Sequence, residues 1–139
     1  MKTWYECKVK YQKMMQDGKV KKVTEPYLVD AVSFTDAEKR INEMLGPYIS
    51  SEFIITNIKI ANYSEVHPNE NGDRWFKCKI TFVNIDEKGV ERKSNTYILM
   101  QSNDAKETYD SIEELFTGTI IDFEISGIQE STIIDVFSL

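Results

Sequence analysis

Trp4-Tyr5-Glu6-Cys7-Lys8-Val9-Lys10-Tyr11 returns later in the chain as Trp75-Phe76-Lys77-Cys78-Lys79-Ile80-Thr81-Phe82. In the first copy Tyr5, Cys7, Val9 and Tyr11 share one face of an extended chain, and Trp4, Glu6, Lys8 and Lys10 share the other. Phe76, Cys78, Ile80 and Phe82 do the same against Trp75, Lys77, Lys79 and Thr81. A period of two held this long marks a strand with one buried face. Such an echo fixes the unit of architecture before any single residue is interpreted.

The echo extends past the strand. Asp17-Gly18-Lys19-Val20 matches Glu87-Lys88-Gly89-Val90, and Tyr27-Leu28-Val29 matches Tyr97-Ile98-Leu99. Each half therefore opens with a hairpin that turns near its glycine. Pro26 removes a ladder donor, so the second strand is expected at a sheet edge or beside a bulge. Thr35-Asp36-Ala37 aligns with Asn103-Asp104-Ala105, and Ile58 to Asn62 with Phe123 to Gly127.

A helix follows each hairpin. Thr35 with Glu38 reads as a capping box, Ala37, Ile41, Met44 and Leu45 form the apolar stripe, and Gly46-Pro47 ends the helix. The second helix is expected to start near Ser102-Asn103-Asp104 and to turn Ala105, Tyr109, Ile112, Leu115 and Phe116 inward. Third strands are expected around residues 53–63 and 119–128, with a short further strand in the tail, 132–137. His67 to Asp73 is dense in turn formers and reads as a loop.

The predicted fold is α+β: two tandem β-β-α-β repeats with pseudo-two-fold symmetry, mainly antiparallel sheet, and one helix per repeat packed on it. The expected organisation is a single domain spanning 1–139, with repeat one at 1–66, a connecting loop at 67–72 and repeat two at 73–139. A chain of 139 residues can bury roughly two-thirds of its unfolded surface, whereas each half alone is marginal. The halves are therefore expected to share a core.

Composition is that of an ordinary globular protein, 41% hydrophobic and 29% charged. Apolar runs are too short to span a membrane, and the opening residues form no apolar signal segment. The expected location is the cytoplasm, where Cys7 and Cys78 would be small buried hydrophobes rather than a disulfide. One histidine, His67, leaves little material for a histidine metal site or triad.

The net charge of −6 hides an asymmetry. Of the 17 basic residues, thirteen lie in Lys2–Lys22 and Arg74–Lys93, while the chain from Asp104 onward holds nine carboxylates and one lysine. Such separation steers charged partners or lets copies associate. The outward residues Trp4, Lys8, Lys10, Trp75, Lys77 and Lys79 form the candidate binding face, combining rings for stacking with cations for phosphate. The plainer alternative is that the tryptophans are buried and the lysines only solvate the strands.

Phosphate-loop, dinucleotide, zinc-protease and nucleophile-elbow motifs are absent from the sequence. Asp110, Glu113 and Glu114 are spaced like an exposed helix face. No catalytic, metal or cofactor-binding residues are assigned, and the chain is read as non-enzymatic.

WYECKVKY (Trp4–Tyr11), DGKVKKVTEPYLVDAVSFTDAEKRI (Asp17–Ile41) and RWFKCKITF (Arg74–Phe82) resemble a domain-of-unknown-function family, family 4494, found mainly in Bacteroidetes. The resemblance implies a bacterial protein and transfers no mechanism or site. The repeat is also similar in architecture to double-repeat single-strand binders of the Pur-alpha or Whirly type, whose repeats carry more strands before the helix. Two functional expectations follow: a non-catalytic, homo-oligomeric interaction module, or single-stranded nucleic-acid binding through the tryptophan–lysine face.

Overall fold

Both repeats fold locally as their alternation requires. In the computed structural model, which describes residues 3–138, the elements are β1 (Thr3–Met14), β2 (Val20–Ala31), α1 (Phe34–Leu45), β3 (Phe53–Ala61), β4 (Glu65–His67), β5 (Arg74–Ile85), β6 (Glu91–Ser102), α2 (Ala105–Leu115), β7 (Phe123–Ser131) and β8 (Asp135–Phe137). The fold is α+β, with two mixed four-stranded sheets ordered β3-β1-β2-β8 and β4-β6-β5-β7. All pairings are antiparallel except β2 with β8 and β4 with β6.

Two compact units result. One holds the chain up to Asn62 together with its end from Thr132, and the other holds Tyr63–Ser131. The short strand after β3 joins the sheet of the second unit, and the short strand after β7 joins the sheet of the first. His67 is therefore the last residue of a strand rather than the start of a loop. The turn that follows is held by side chains of β6 and its end. Gln101 accepts from the Asn69 amide and donates to the Gly72 carbonyl, while Asn103 accepts from the Asp73 amide. A Cβ on Gly72 would lie 2.6 Å from the Ser102 nitrogen, so the turn reaches β6 only with glycine there.

In the first unit β1 sets Cys7 opposite Tyr27 on β2 and Ile58 on β3. Beneath α1, Cys7, Val9, Val29, Ile41 and Leu45 are buried. In the second unit Phe76, Cys78, Ile80, Ile98 and Ile112 form the corresponding cluster under α2. Each unit thus carries one cluster of buried side chains beneath its helix. Burial pushes the Cys7 thiol up to about 12 and the Cys78 thiol to about 11, as two free cysteines in apolar surroundings require.

The helix caps lie elsewhere than the capping-box pattern suggests. Ser33, extended at φ −161, accepts from the Asp36 amide at 3.0 Å, and Asp36 in turn accepts from the Val32 amide. Thr35 is already inside the helix. In α2 the expected acidic cap is present, with Asp104 accepting from the Glu107 amide at 2.7 Å. Counting from the caps places Ala37 and Thr108 at equivalent positions, so the alignment of Ala37 with Ala105 is corrected. Ala105, Tyr109 and Leu115 are exposed rather than inward, as is Met44 in α1. Thr108 is wholly buried instead, and its hydroxyl is satisfied by the Asp104 carbonyl at 2.8 Å.

The third strands correct the repeat alignment in the same way. Phe53 pairs with Tyr11 and Phe123 with Phe82, which makes Phe53 equivalent to Phe123 and displaces the alignment of Ile58 with it. Both sheets carry a bulge in the same stretch, at Lys8/Val9 and at Lys79/Ile80. Pro26 sits on β2 opposite Lys8, and its carbonyl accepts from Ile134. A strand residue points its N and its carbonyl to the same side, so the missing donor faces the side where β8 has not yet begun. Pro26 thus occupies an open stretch of an otherwise inner strand.

Candidate interaction surface

Each hairpin outruns the helix that covers its base. From Gln12 to Lys22 every residue is exposed, and from Asn84 to Asn95 only Asp86 is partly covered. Gly18 and Gly89, at φ +82 and +79, supply the left-handed turn residues that let the hairpins reverse. Asp17 accepts from the Lys19 amide, and Asp86 accepts from the amides of Lys88 and Val90.

The first arm is basic with an apolar end. Gln12 pairs with Lys22, Lys13 with Lys21 and Met14 with Val20. Directly opposed lysines repel, and Lys13 leans instead to Glu25 at 3.3 Å. Glu25 also accepts from the Tyr11 hydroxyl and from Tyr27 at 3.3 Å. Burial and Glu25 together push Tyr11 up to about 12 and raise Tyr27 further. Beside this arm, where the chain enters β3, lies an open groove of about 450 Å³ lined by Lys10, Gln12, Lys22, Ser51, Glu52 and Ile54. The Ser51 hydroxyl donates to the Gln12 carbonyl at its rim.

The second unit repeats the groove with different chemistry. Val83 donates to the Asp122 carbonyl where the chain enters β7. The groove there is about 590 Å³, lined by Val83, Ile85, Ile120, Ile121 and the carboxylates Glu91 and Asp122. Ile120 is fully exposed and Ile85 is 75% exposed. On the arm itself Arg92 pairs with Asp86 at 3.2 Å, and that contact with the amides of Val90 and Lys88 holds the Asp86 carboxyl below its usual range, the Val90 amide contributing most.

The sequence-predicted face divides between the units. Trp4 is half-buried and Lys8 and Lys10 are exposed on β1. On β5 Lys77 is exposed, Lys79 is half-buried, and Trp75 is only 4% exposed. The Lys77 ammonium lies 4.7 Å from the Tyr97 ring centroid, a cation–π contact. Trp75 therefore offers no ring for stacking. Sequence reasoning missed the grooves, because Ile120 and Ile121 precede β7 without belonging to an alternating run, and Ile54 is an outward residue at the start of β3; the consecutive apolar pairs Ile54-Ile55 and Ile120-Ile121 were the available signal.

Asp110, Glu113 and Glu114 lie exposed on α2, with Lys106 pairing Asp110 at 3.2 Å. Among the described residues no group of three His, Cys, Asp or Glu side chains is placed to hold a metal ion, and no helix is long and apolar enough to cross a membrane.

The chain belongs to the DUF4494 family. The family model, described as a domain of unknown function, matches residues 3–139. No curated protein matches the chain, and no solved structure does. Membership in DUF4494 fixes kinship and names no activity, so function has to be argued from the surface.

Proposed function

We propose that the chain is a non-catalytic interaction module that associates with copies of itself through the far ends of its hairpins. The observation that carries this is the apolar surface left open there. Met14, Val20 and Ile54 are exposed in the first unit, and Ile85, Val90, Ile120 and Ile121 in the second. Grouped exposed side chains of this size mark contact surfaces, whereas scattered ones need no explanation. The edges support the same reading. β3 and β7 end their sheets, and β2 before Pro26 and β6 before Tyr97 pair with no further strand on one side among the described residues. Unpaired strand edges are templates for a further chain.

Size-exclusion chromatography with light scattering over a wide concentration range tests the reading. The expected result is a mass that rises above one chain as concentration increases. A strict monomer throughout would remove the reading.

A second reading rests on Lys8, Lys10 and Lys22, which lie along one side of the first sheet with Trp4 further up the same face. Single-stranded nucleic acid would bind there through phosphate contacts and one ring. It predicts salt-sensitive quenching of Trp4 fluorescence by oligonucleotides. No quenching at low ionic strength would end it.

A further inference from the structure

We propose that self-association is head-to-tail, with the tip of the first hairpin of one copy seated in the groove of the second unit of another. This rests on the self-association reading above and names its two surfaces. The tip presents Met14, Met15 and Val20, with Lys19, Lys21 and Lys22 around them and Asp17 as the one carboxylate of the turn. The receiving groove presents Ile85, Ile120 and Ile121 with Glu91 and Asp122, and no cation lines it. Flexible methionines suit an irregular apolar slot, and the two carboxylates lining the groove are opposite in sign to the lysines of the tip.

A symmetric arm-to-arm contact lacks this match. It would bring Lys19, Lys21 and Lys22 against their own copies, and like charges brought together select against a contact. The first unit's own groove is a poorer receptor for the same reason, since Lys10 and Lys22 line it against the single carboxylate Glu52. Two grooves at equivalent places in the repeat have thus diverged in charge. One copy's arm fits the other unit's groove better than its own kind. A contact of this type leaves an arm free at one end and a groove free at the other, so it builds rings or filaments rather than a closed pair.

The test uses charge exchange on the full chain. Lys21→Glu with Lys22→Glu inverts the arm, and Glu91→Lys with Asp122→Lys inverts the groove. All four positions lie on exposed parts of the chain, and circular dichroism checks that each variant is folded. Each variant alone is expected to lose association by at least about tenfold, and mixing the two is expected to restore it. Raising salt from about 0.05 to about 0.5 M should weaken the wild-type assembly. If the wild type associates but the groove variant associates equally well, or if mixing restores nothing, head-to-tail docking is overturned while self-association stands. If the wild type is monomeric at every concentration, both proposals fall.

Discussion

The amide of Ile134 donates to the carbonyl of Pro26 at 2.9 Å, joining the end of the chain to a strand of its first hairpin. The equivalent bond in the second unit runs from Ser64 to Tyr97, also at 2.9 Å. Each sheet thus receives its fourth strand from a segment that follows the third strand of the other repeat.

Removing residues 132–139 should therefore damage the first unit and not the second. Tyr27 stacks on Phe137 at 5.8 Å, and Val136 pairs with Leu28. Hydrogen exchange is expected to accelerate at Tyr27–Val29 while Ile98–Met100 stays protected. The single change Phe137→Ala should cost about 2 kcal/mol in denaturant unfolding, since the ring is half-buried. Equal acceleration in both sheets would contradict the pairing.

The caps give a sharper contrast. Ser33→Ala should destabilise by about 1 kcal/mol, because it strips the Asp36 amide of its acceptor. Thr35→Ala, an exposed residue inside the first turn, should change stability by less than about 0.5 kcal/mol. Paired urea titrations distinguish the two, and a larger effect at Thr35 would restore the capping box read from sequence.

Acid sensitivity follows from two carboxylates held below their ordinary range. Asp36 is lowered chiefly by the Val32 amide, with Arg40 adding to it, and Asp86 chiefly by the Val90 amide with Arg92 and Lys88. A carboxylate whose folded value is depressed stabilises the fold above its unfolded value of about 3.9, and that contribution is lost as pH falls through the folded value. Wild-type stability should therefore decline below about pH 4. Replacing both with asparagine should lower stability at neutral pH and flatten that decline. Urea midpoints across this pH range measure it, and an unchanged slope would rule the pair out as its source.

The two tryptophans should report different surroundings. In Trp4→Phe the remaining Trp75, only 4% exposed, is expected to emit at short wavelength and resist acrylamide quenching. In Trp75→Phe the half-buried Trp4 should quench more readily. Trp75→Ala should cost about 3–5 kcal/mol, the penalty for emptying a large buried site. Comparable quenching of both residues would return Trp75 to the surface.

Local chemistry made much of this fold readable in advance. The alternation through Tyr5–Tyr11 and Phe76–Phe82 is a property of neighbouring residues, and so are Gly18, Gly89 and the stripe of Ala37, Ile41 and Leu45. Each produced the expected strand, turn or helix. The helix boundaries were readable to within a turn. At the first cap Ser33 and Thr35 offer the same chemistry two residues apart, and only the backbone direction chose between them.

The candidate surface was less legible. Lys8 and Lys10 are exposed on the predicted face, but Trp75 is not, because an outward position on a strand becomes surface only if nothing covers that part of the sheet. Ile120 and Ile121 lack any period that would have distinguished a groove wall from a core strand.

By itself the sequence determined the repeated strands, their hairpins, the two helices and the buried face of each opening strand, since turns and periodicities are set by residues a few positions apart. Tertiary structure alone decided that Asp135–Phe137 completes the first sheet and Glu65–His67 the second. A three-residue strand is too short to specify its partner. Its place depends on which sheet edge the folded chain leaves within reach.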